Sequence, residues 1–261
     1  MFGFFTNRRR RKLLAAPFPP HWEVVLRRNV GHYPLLSDPE RATLRDITRV
    51  LVAEKTWEGV GGLFVTDEIK LTVAAQAALL LLGMTHDYYG RVAAVVVYPG
   101  AFRTPREEDG WEDDGLSEDP LSGQAVYRGP VILSWDEVLA EGRDPDGGHN
   151  VVVHEFAHQL DFLDGGIDGT PPLADPDLAR RWGPVMQAAF DAHLAAVGRG
   201  DPDRFFTDHA ADDEAEFFAD ASEAFFCRPH DLDAEAAGVF GLLAAYYQLD
   251  PRSWFEGERR V

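Results

Sequence analysis

The chain has 261 residues, enough for a substantial hydrophobic core in one large domain or two lobes. It carries 44 acidic and 25 basic residues, and this formal charge of −19 argues against a general nucleic-acid-binding surface because phosphates would be repelled. The single cysteine, Cys227, excludes an internal disulfide and a thiolate metal cluster and suits a reducing cytoplasm, while no apolar run approaches the ~18 residues of a membrane span.

The N-terminus places five basic residues, Arg8 to Lys12, after an apolar start. A secretory signal has the opposite order and a longer apolar region. The basic cluster either contacts an anionic partner or lipid surface, or forms a solvated tail. One such cluster without an amphipathic helix behind it binds weakly. We therefore predict a flexible basic tail over residues 1–20 and a folded domain over residues 21–261, with Pro20 near the boundary.

Three segments in the first half have clear secondary-structure patterns. Ser37-Asp-Pro-Glu40 is a capping box and predicts the start of an amphipathic helix. The stretch from Asp67 to Leu82 is strongly apolar but too short to cross a bilayer, which predicts a core helix. The β-branched run from Val92 to Tyr98 predicts a buried strand.

The segment from Gly123 to Trp135 reads as a strand or a strand pair. Pro130 lacks a backbone N–H, so we expect this element at the edge of a sheet. An open edge beside an active-site helix can accept an extended peptide as a further strand. The alternative is an edge strand that binds no ligand.

The most informative motif is His154-Glu155-Phe-Ala-His158, the H-E-x-x-H pattern. Asn150 is a suitable N-cap, and histidines four residues apart lie on one face of the resulting helix, where both can bind one zinc ion. Glu155 lies about 100° further round the helix, from where it can accept a proton from a water on the metal. The alternative is a helix that carries two solvated histidines.

Three carboxylates are candidates for the third metal ligand. Asp161 lies on the same face as the histidines, but one straight helix rarely supplies three tetrahedral ligands. Asp164 follows His154 by the ten-residue spacing of the metzincins, although the glycine that normally ends the helix is replaced by Asp161. Glu216 lies on a second predicted helix.

That second helix, Ala215 to Phe226, carries Glu216, Asp220 and Glu223 on one face and phenylalanines on the other. Stacked carboxylates repel each other unless cations or hydrogen-bond donors face them. A zinc ion with two histidines is such a partner, with Glu216 as ligand and either Asp220 or Glu223 orienting a histidine. The alternative is a solvated acidic face.

These motifs together resemble the Mlc titration factor A family of bacterial zinc metallopeptidases. The resemblance rests on the following segments: Tyr98-Pro-Gly-Ala-Phe102, Gly129-Pro-Val-Ile-Leu-Ser-Trp135, His154-Glu-Phe-Ala-His-Gln-Leu-Asp161, Ala215-Glu-Phe-Phe-Ala219 and Ser222-Glu-Ala-Phe-Phe226. It implies one zinc ion per chain bound by His154, His158 and Glu216, Glu155 as catalytic base, and cytoplasmic, aminopeptidase-like activity. It also implies a second role, the binding of a glucose-responsive transcriptional repressor.

The chain departs from this family at two positions. Members have a tyrosine seven residues before the glutamate ligand, suited to donate a hydrogen bond to the oxyanion, and here that position is His209. Members often have a proline two residues before that ligand, where this chain has Glu214. Histidine can replace tyrosine as the donor, as in other gluzincins. The alternative is that His209 is a solvent-facing loop residue.

We therefore expect a zincin-like α+β metallopeptidase in which a mixed sheet lies beside the helix of Asn150 to Leu163. The expected reaction is peptide-bond hydrolysis by metal-activated water with Glu155 as general base. A regulatory binding protein with a secondary zinc site is the competing interpretation. Glu155 favours the enzyme, because a purely structural site has no use for a base there.

Overall fold

A computed structural model describes residues 2–101, 123–125 and 129–256. Helices predominate in this part of the chain, with one small sheet, so the structure is α+β as expected. The helices are α1 (Phe2–Ala15), α2 (Pro20–Asn29), α3 (His32–Leu35), α4 (Asp38–Glu54), α5 (Asp67–Leu79), α6 (Trp135–Arg143), α7 (Val151–Asp161), α8 (Pro176–Gly198), α9 (Glu214–Cys227), α10 (Pro229–Glu235) and α11 (Ala237–Tyr247), with short 3-10 helices at His209–Ala211 and Pro251–Trp254. The strands are β1 (Thr56–Gly59), β2 (Ala94–Tyr98), β3 (Gly123–Ala125) and β4 (Val131–Ser134).

The sheet is mixed, with strand order β1-β2-β4-β3. Strands β1, β2 and β4 are parallel, and β3 pairs antiparallel with β4. Strand β2 begins at Ala94, two residues after the predicted start, and its inward side chains Val95 and Val97 are fully buried. Pro130 precedes β4, which is an inner strand, so the edge position that we expected for this region belongs to β3.

The two helices predicted in the first half are both present. Ser37 and Glu40 form the capping box of α4, in which the Ser37 N–H donates to the Glu40 carboxylate at 2.7 Å. Helix α5 ends at Leu79, three residues before the predicted end. Gln76 is fully buried in α5 and donates to the carbonyl of Val138 at 3.1 Å, which ties α5 to α6.

The N-terminus contains a helix, α1, where we expected an irregular tail. Arg10 of α1 forms an ion pair with Glu54 at 2.6 Å and lies 4.3 Å from the ring centre of Tyr88. Arg49 of α4 donates to the backbone carbonyl of Leu13 near the C-terminal end of α1. These contacts to distant residues stabilise a helix that its own sequence pattern does not predict. The division of the chain at residue 20 and the flexibility of the tail stay predictions.

Helix α7 packs against α9 and also contacts α5, α6, β3 and β4. The phenylalanines of α9 are buried on the side away from α7, among them Phe218 and Phe225. The mixed sheet therefore lies beside the helix that carries the H-E-x-x-H motif, and α9 lies on another side of it. Among the described residues, every helix is too short or too polar to cross a membrane.

Candidate metal centre

The N-terminal end of α7 is held by side chains that fix the direction of the helix. Asn150 caps it, and its Oδ1 accepts a hydrogen bond from the N–H of Val153 at 3.0 Å. The backbone N–H of Asn150 donates to Oε2 of Glu223 on α9 at 2.7 Å. Val152 and Val153 are fully buried, so the face with His154 and His158 turns away from the core valines and toward α9.

Helix α9 brings a glutamate to the same place. Asp213 caps the helix and accepts a hydrogen bond from the N–H of Glu216 at 2.9 Å. On the opposite side, Phe217 packs against Phe190 with ring centres 5.6 Å apart. Because this aromatic side is anchored in the core, the carboxylate of Glu216 points toward the histidines of α7.

Three potential ligand atoms converge between these helices. Oε2 of Glu216 lies 3.0 Å from Nε2 of His154 and 3.4 Å from Nε2 of His158. The two histidine Nε2 atoms lie 3.2 Å apart. Ligands placed tetrahedrally at about 2.0–2.1 Å from a zinc ion are about 3.3–3.4 Å from each other. Two imidazoles and one carboxylate are also ligands that zinc prefers, so the residues present fit this metal.

The orientation of His154 is set by Glu223. Oε1 of Glu223 lies 2.7 Å from Nδ1 of His154, so Nδ1–H donates to Glu223 and the Nε2 lone pair would be available to a bound metal ion. The sequence left open whether Asp220 or Glu223 takes this position. The structure brings Glu223 to the histidine, whereas Asp220 accepts a hydrogen bond from the hydroxyl of Thr207 at 2.7 Å.

Glu155 lies beside the cluster and is only 5% exposed. Its buried Oε2 has no hydrogen-bond partner among the described residues, so it can accept one from a water molecule. Burial raises the pKa of Glu155 to about 8, with a further contribution from the nearby carboxylates of Glu216 and Glu223. A cation at the cluster would lower this pKa again and leave the carboxylate able to take a proton.

The carboxylate of Glu216 attracts positive charge at the cluster, either as protons on the histidines or as a cation. Burial opposes ionisation of Glu216, but hydrogen bonds from His154, His158 and His209 hold its pKa far below the usual range. The pKa of His154 shifts the other way: burial lowers it, and hydrogen bonds to Glu216 and Glu223 raise it well above its usual value. A divalent cation can replace these protons, since it interacts with the same carboxylates.

His209 also reaches the cluster. It begins the 3-10 helix before α9, and its Nε2 lies 3.0 Å from Oε2 of Glu216 while its Nδ1 lies 2.6 Å from Oδ2 of Asp212. Its ring is stacked on that of His154 with centres 5.8 Å apart. The hydrogen bond with Glu216 is the main reason that the pKa of His209 is raised to about 9. His209 is 60% exposed, so it forms part of the solvent-facing rim of the cluster.

The other two candidates for the third ligand point elsewhere. Asp161 is fully buried, and its Oδ2 accepts a hydrogen bond from the N–H of Gly169 at 3.0 Å. Asp164 accepts a hydrogen bond from the N–H of Gly166 at 2.8 Å in the following loop. Of the three carboxylates considered from the sequence, Glu216 is the one whose oxygen approaches the histidines. The contact between Asp220 and Thr207 has no counterpart in a sequence motif, and sequence reasoning missed it.

Most of the chain is similar to known proteins. A family model described as "Glucose-regulated metallo-peptidase M90" matches residues 4–248. An uncharacterized protein of Synechocystis is 31% identical over 249 residues, which cover 93% of this chain and 89% of the relative. Proteins named Mlc titration factor A from Yersinia pestis and Yersinia pseudotuberculosis are each 29% identical over 226 residues, covering 83% of this chain and 80% of each relative.

Proposed function

The chain belongs to the glucose-regulated metallo-peptidase M90 family, and from this premise we propose that it is a zinc-dependent peptidase with a zincin-like fold. The proposed metal ligands are His154, His158 and Glu216. The observation that carries the proposal is the convergence of their ligand atoms at 3.0, 3.2 and 3.4 Å. Three protein ligands leave room for water or substrate at the metal, as in a catalytic rather than a structural site.

When bound, zinc supplies Lewis acidity that polarises a scissile carbonyl and lowers the pKa of a water molecule. Glu155 is the proposed general base. Its carboxylate accepts the proton that the attacking water loses and later delivers it to the leaving amine. The buried Oε2 of Glu155 supports this role, because none of the described groups is hydrogen-bonded to it.

His209 is the proposed donor to the oxyanion that develops on the scissile carbonyl. Its Nε2 lies at the edge of the cluster, 3.0 Å from Oε2 of Glu216, where an imidazole N–H can donate to a substrate oxygen. Its position on the exposed rim of the cluster supports access to a bound substrate. Asp212 holds Nδ1 and thereby fixes the direction of the ring.

The proposed substrate is a peptide with a free N-terminus, cleaved in the cytoplasm, as the resemblance of the sequence motifs to the Mlc titration factor A family implies. Strand β3 supports a peptide in extended conformation, because among the described residues it is one of the two edge strands of the sheet and it contacts α7. An added strand would be hydrogen-bonded along this edge and would pass the H-E-x-x-H helix.

The test is a peptidase assay on the zinc-loaded protein with an amino-acid p-nitroanilide and a panel of peptides blocked at the N-terminus. We expect hydrolysis of the p-nitroanilide, little cleavage of blocked peptides, loss of activity with a chelator and recovery on addition of zinc. Cleavage of blocked peptides alone would support metallopeptidase activity and contradict aminopeptidase activity. Absence of all cleavage in protein with bound zinc would reject the proposed enzyme.

A second candidate is a regulatory protein that binds a transcriptional repressor, with the zinc site secondary. The name Mlc titration factor A of the Yersinia relatives favours it. The Glu155→Gln variant separates the two functions, because it removes the base and leaves the protein surface almost unchanged. Repressor binding by this variant, measured by co-elution with a purified glucose-responsive repressor, would support the second function independently of peptidase activity.

A further inference from the structure

The backbone turn that carries His209 is anchored through Thr207. The hydroxyl oxygen of Thr207 accepts a hydrogen bond from the N–H of Ala210 at 3.3 Å, which closes the turn around His209. The same hydroxyl donates to Oδ1 of Asp220 at 2.7 Å. The backbone N–H of Thr207 faces Oδ2 of Asp220 at 3.4 Å. Both oxygens of one carboxylate are therefore directed at this threonine.

Asp220 lies on α9, four residues after Glu216 and so on the same face of the helix. Asp220 is 6% exposed. Glu223 is the carboxylate that pairs with His154, whereas Asp220 pairs with Thr207. One rigid helix thus carries both the proposed ligand Glu216 and the group that anchors the His209 turn. The turn that carries His209 is therefore attached to the same helix as Glu216.

Two further contacts brace the same segment. The buried ring of His193 on α8 donates from Nε2 to the carbonyl of Thr207 at 2.8 Å. Arg204 forms an ion pair with Asp208, the residue between Thr207 and His209. The backbone N–H and carbonyl of Thr207 are therefore engaged from two helices. The imidazole of His209 is exposed, contacts Glu216 and Asp212 through its two nitrogens and stacks on the ring of His154.

We propose that Asp220 and Thr207 are positioning residues for His209. They hold its Nε2 at hydrogen-bonding distance from the cluster, where it can donate to the substrate oxyanion. The inference rests on the proposed peptidase function of the same site. A carboxylate that accepts hydrogen bonds from both the hydroxyl and the backbone of one residue restrains that residue more strongly than a neutral acceptor would. Displacement of a catalytic group by about 1 Å can cost up to ~10²-fold in rate.

The central experiment is Thr207→Val, which keeps the shape of the side chain and removes its hydroxyl. We expect kcat to fall roughly tenfold with little change in KM and with normal zinc content, because a donor to the oxyanion acts mainly in the transition state. Thr207→Ser retains the hydroxyl and should restore most of the activity. Thr48→Val is the control for loss of a threonine hydroxyl elsewhere, since Thr48 is buried on α4 and donates to the backbone carbonyl of Leu44.

A double-mutant cycle with His209→Ala distinguishes positioning from a general loss of structure. If Thr207 acts through His209, Thr207→Val should cause no further loss of kcat in the His209→Ala background. Asp220→Asn should behave in the same way, because its amide would place a donor opposite the Thr207 backbone N–H. If the losses of kcat caused by the two single substitutions add up in the zinc-loaded double variant, the proposal is wrong.

A second measurement does not depend on activity and so separates failure of this inference from failure of the proposed function. Hydrogen exchange followed by mass spectrometry should show faster exchange in the segment 207–212 of Thr207→Val, with exchange in α9 unchanged. Unchanged exchange in that segment would reject the anchoring role, whether or not the protein hydrolyses peptides.

Discussion

Glu223 holds the first turn of α7 at two points, because one oxygen lies 2.7 Å from Nδ1 of His154 and the other accepts the backbone N–H of Asn150 at 2.7 Å. The residue is 7% exposed, so both contacts lie out of bulk water. A single carboxylate on α9 thus fixes the tautomer of a proposed ligand and the start of the helix that carries it. The geometry of the candidate site depends on this link as much as on the ligands.

Glu223→Gln should lower zinc affinity by roughly 10- to 100-fold, since the amide cannot accept the Nδ1 proton as strongly and orients the imidazole less well. Zinc affinity can be measured by competition with a chromophoric chelator. Glu141→Gln is the matched control, because Glu141 accepts the N–H of Val151 at the same end of α7 and not a ring N–H of His154. Equal affinities for the two variants would contradict the role assigned to Glu223.

Glu155→Gln should keep its zinc and lose peptidase activity by a factor of at least ~10², because the amide cannot accept a proton from water. Metal analysis and the p-nitroanilide assay on the same preparation test both parts. Substantial activity in the zinc-loaded variant would remove Glu155 from the mechanism.

Glu216→Ala should weaken zinc retention far more than Asp164→Ala. The first removes an oxygen 3.0 Å from Nε2 of His154, and the second removes only a loop contact to the N–H of Gly166. Zinc retained after dialysis against a weak chelator gives the ranking. The opposite order would place the third ligand on Asp164, with the spacing of the metzincins.

His209→Ala should lower kcat by about 10²–10³ with little change in KM and normal zinc content, as expected for loss of one oxyanion donor. His209→Tyr should recover much of the activity, because a phenol also donates one hydrogen bond. An unchanged kcat in His209→Ala would show that His209 has no part in catalysis. Loss of zinc in this variant would instead indicate that His209 is a metal ligand.

The buried His32 should make the stability of the folded chain depend on pH, separately from the candidate metal centre. The ring is fully buried and contacts the carbonyl of Phe226 at 3.1 Å, and burial lowers its pKa from 6.5 to about 4. Between these two values the unfolded chain binds a proton that the folded chain does not, so stability falls as the pH falls below 6.5. At pH 5 this amounts to about 2 kcal/mol of unfolding free energy relative to pH 7.5.

Urea unfolding of wild type and His32→Gln at the two pH values measures this contribution. The variant should lose less stability on acidification, because glutamine does not titrate. His21→Gln, at an exposed position, controls for the substitution and should follow wild type. An identical loss in wild type and His32→Gln would show that other groups cause the acid sensitivity.

Helix periodicity and capping predicted from the sequence which residues of the candidate site share a helical face. The four-residue spacing of His154 and His158 places them on one face of any helix, and Asn150 marks its start. The same rule placed Glu216, Asp220 and Glu223 on one stripe. These are local properties, since they depend on φ and ψ within a single element, and both helices lie where the patterns predicted them.

Other features depended on residues far apart in the chain. Helix α1 has a weakly patterned sequence and is stabilised by the ion pair of Arg10 with Glu54, 44 residues away. The pairing of His209 with Glu216 likewise required the 3-10 turn that Thr207 and Asp220 hold together. Sequence spacing suggested His209 only through the resemblance to a family, and gave no sign of its anchor.

By itself the sequence determined which residue types share a helical face, and therefore the histidine pair, the proposed base and three acidic candidates on a second helix. Only the tertiary structure brought an oxygen of Glu216, and not of Asp161 or Asp164, close to the histidines, and placed Glu223 rather than Asp220 against His154. The physical reason is that this choice depends on how α7 and α9 pack. The segment that follows α7 also comes close to the start of α9 at Gly169, whose left-handed backbone, φ 69°, would place a Cβ atom 2.2 Å from the carbonyl oxygen of Glu214. Such contacts follow from the packing of distant segments, which no local spacing rule contains.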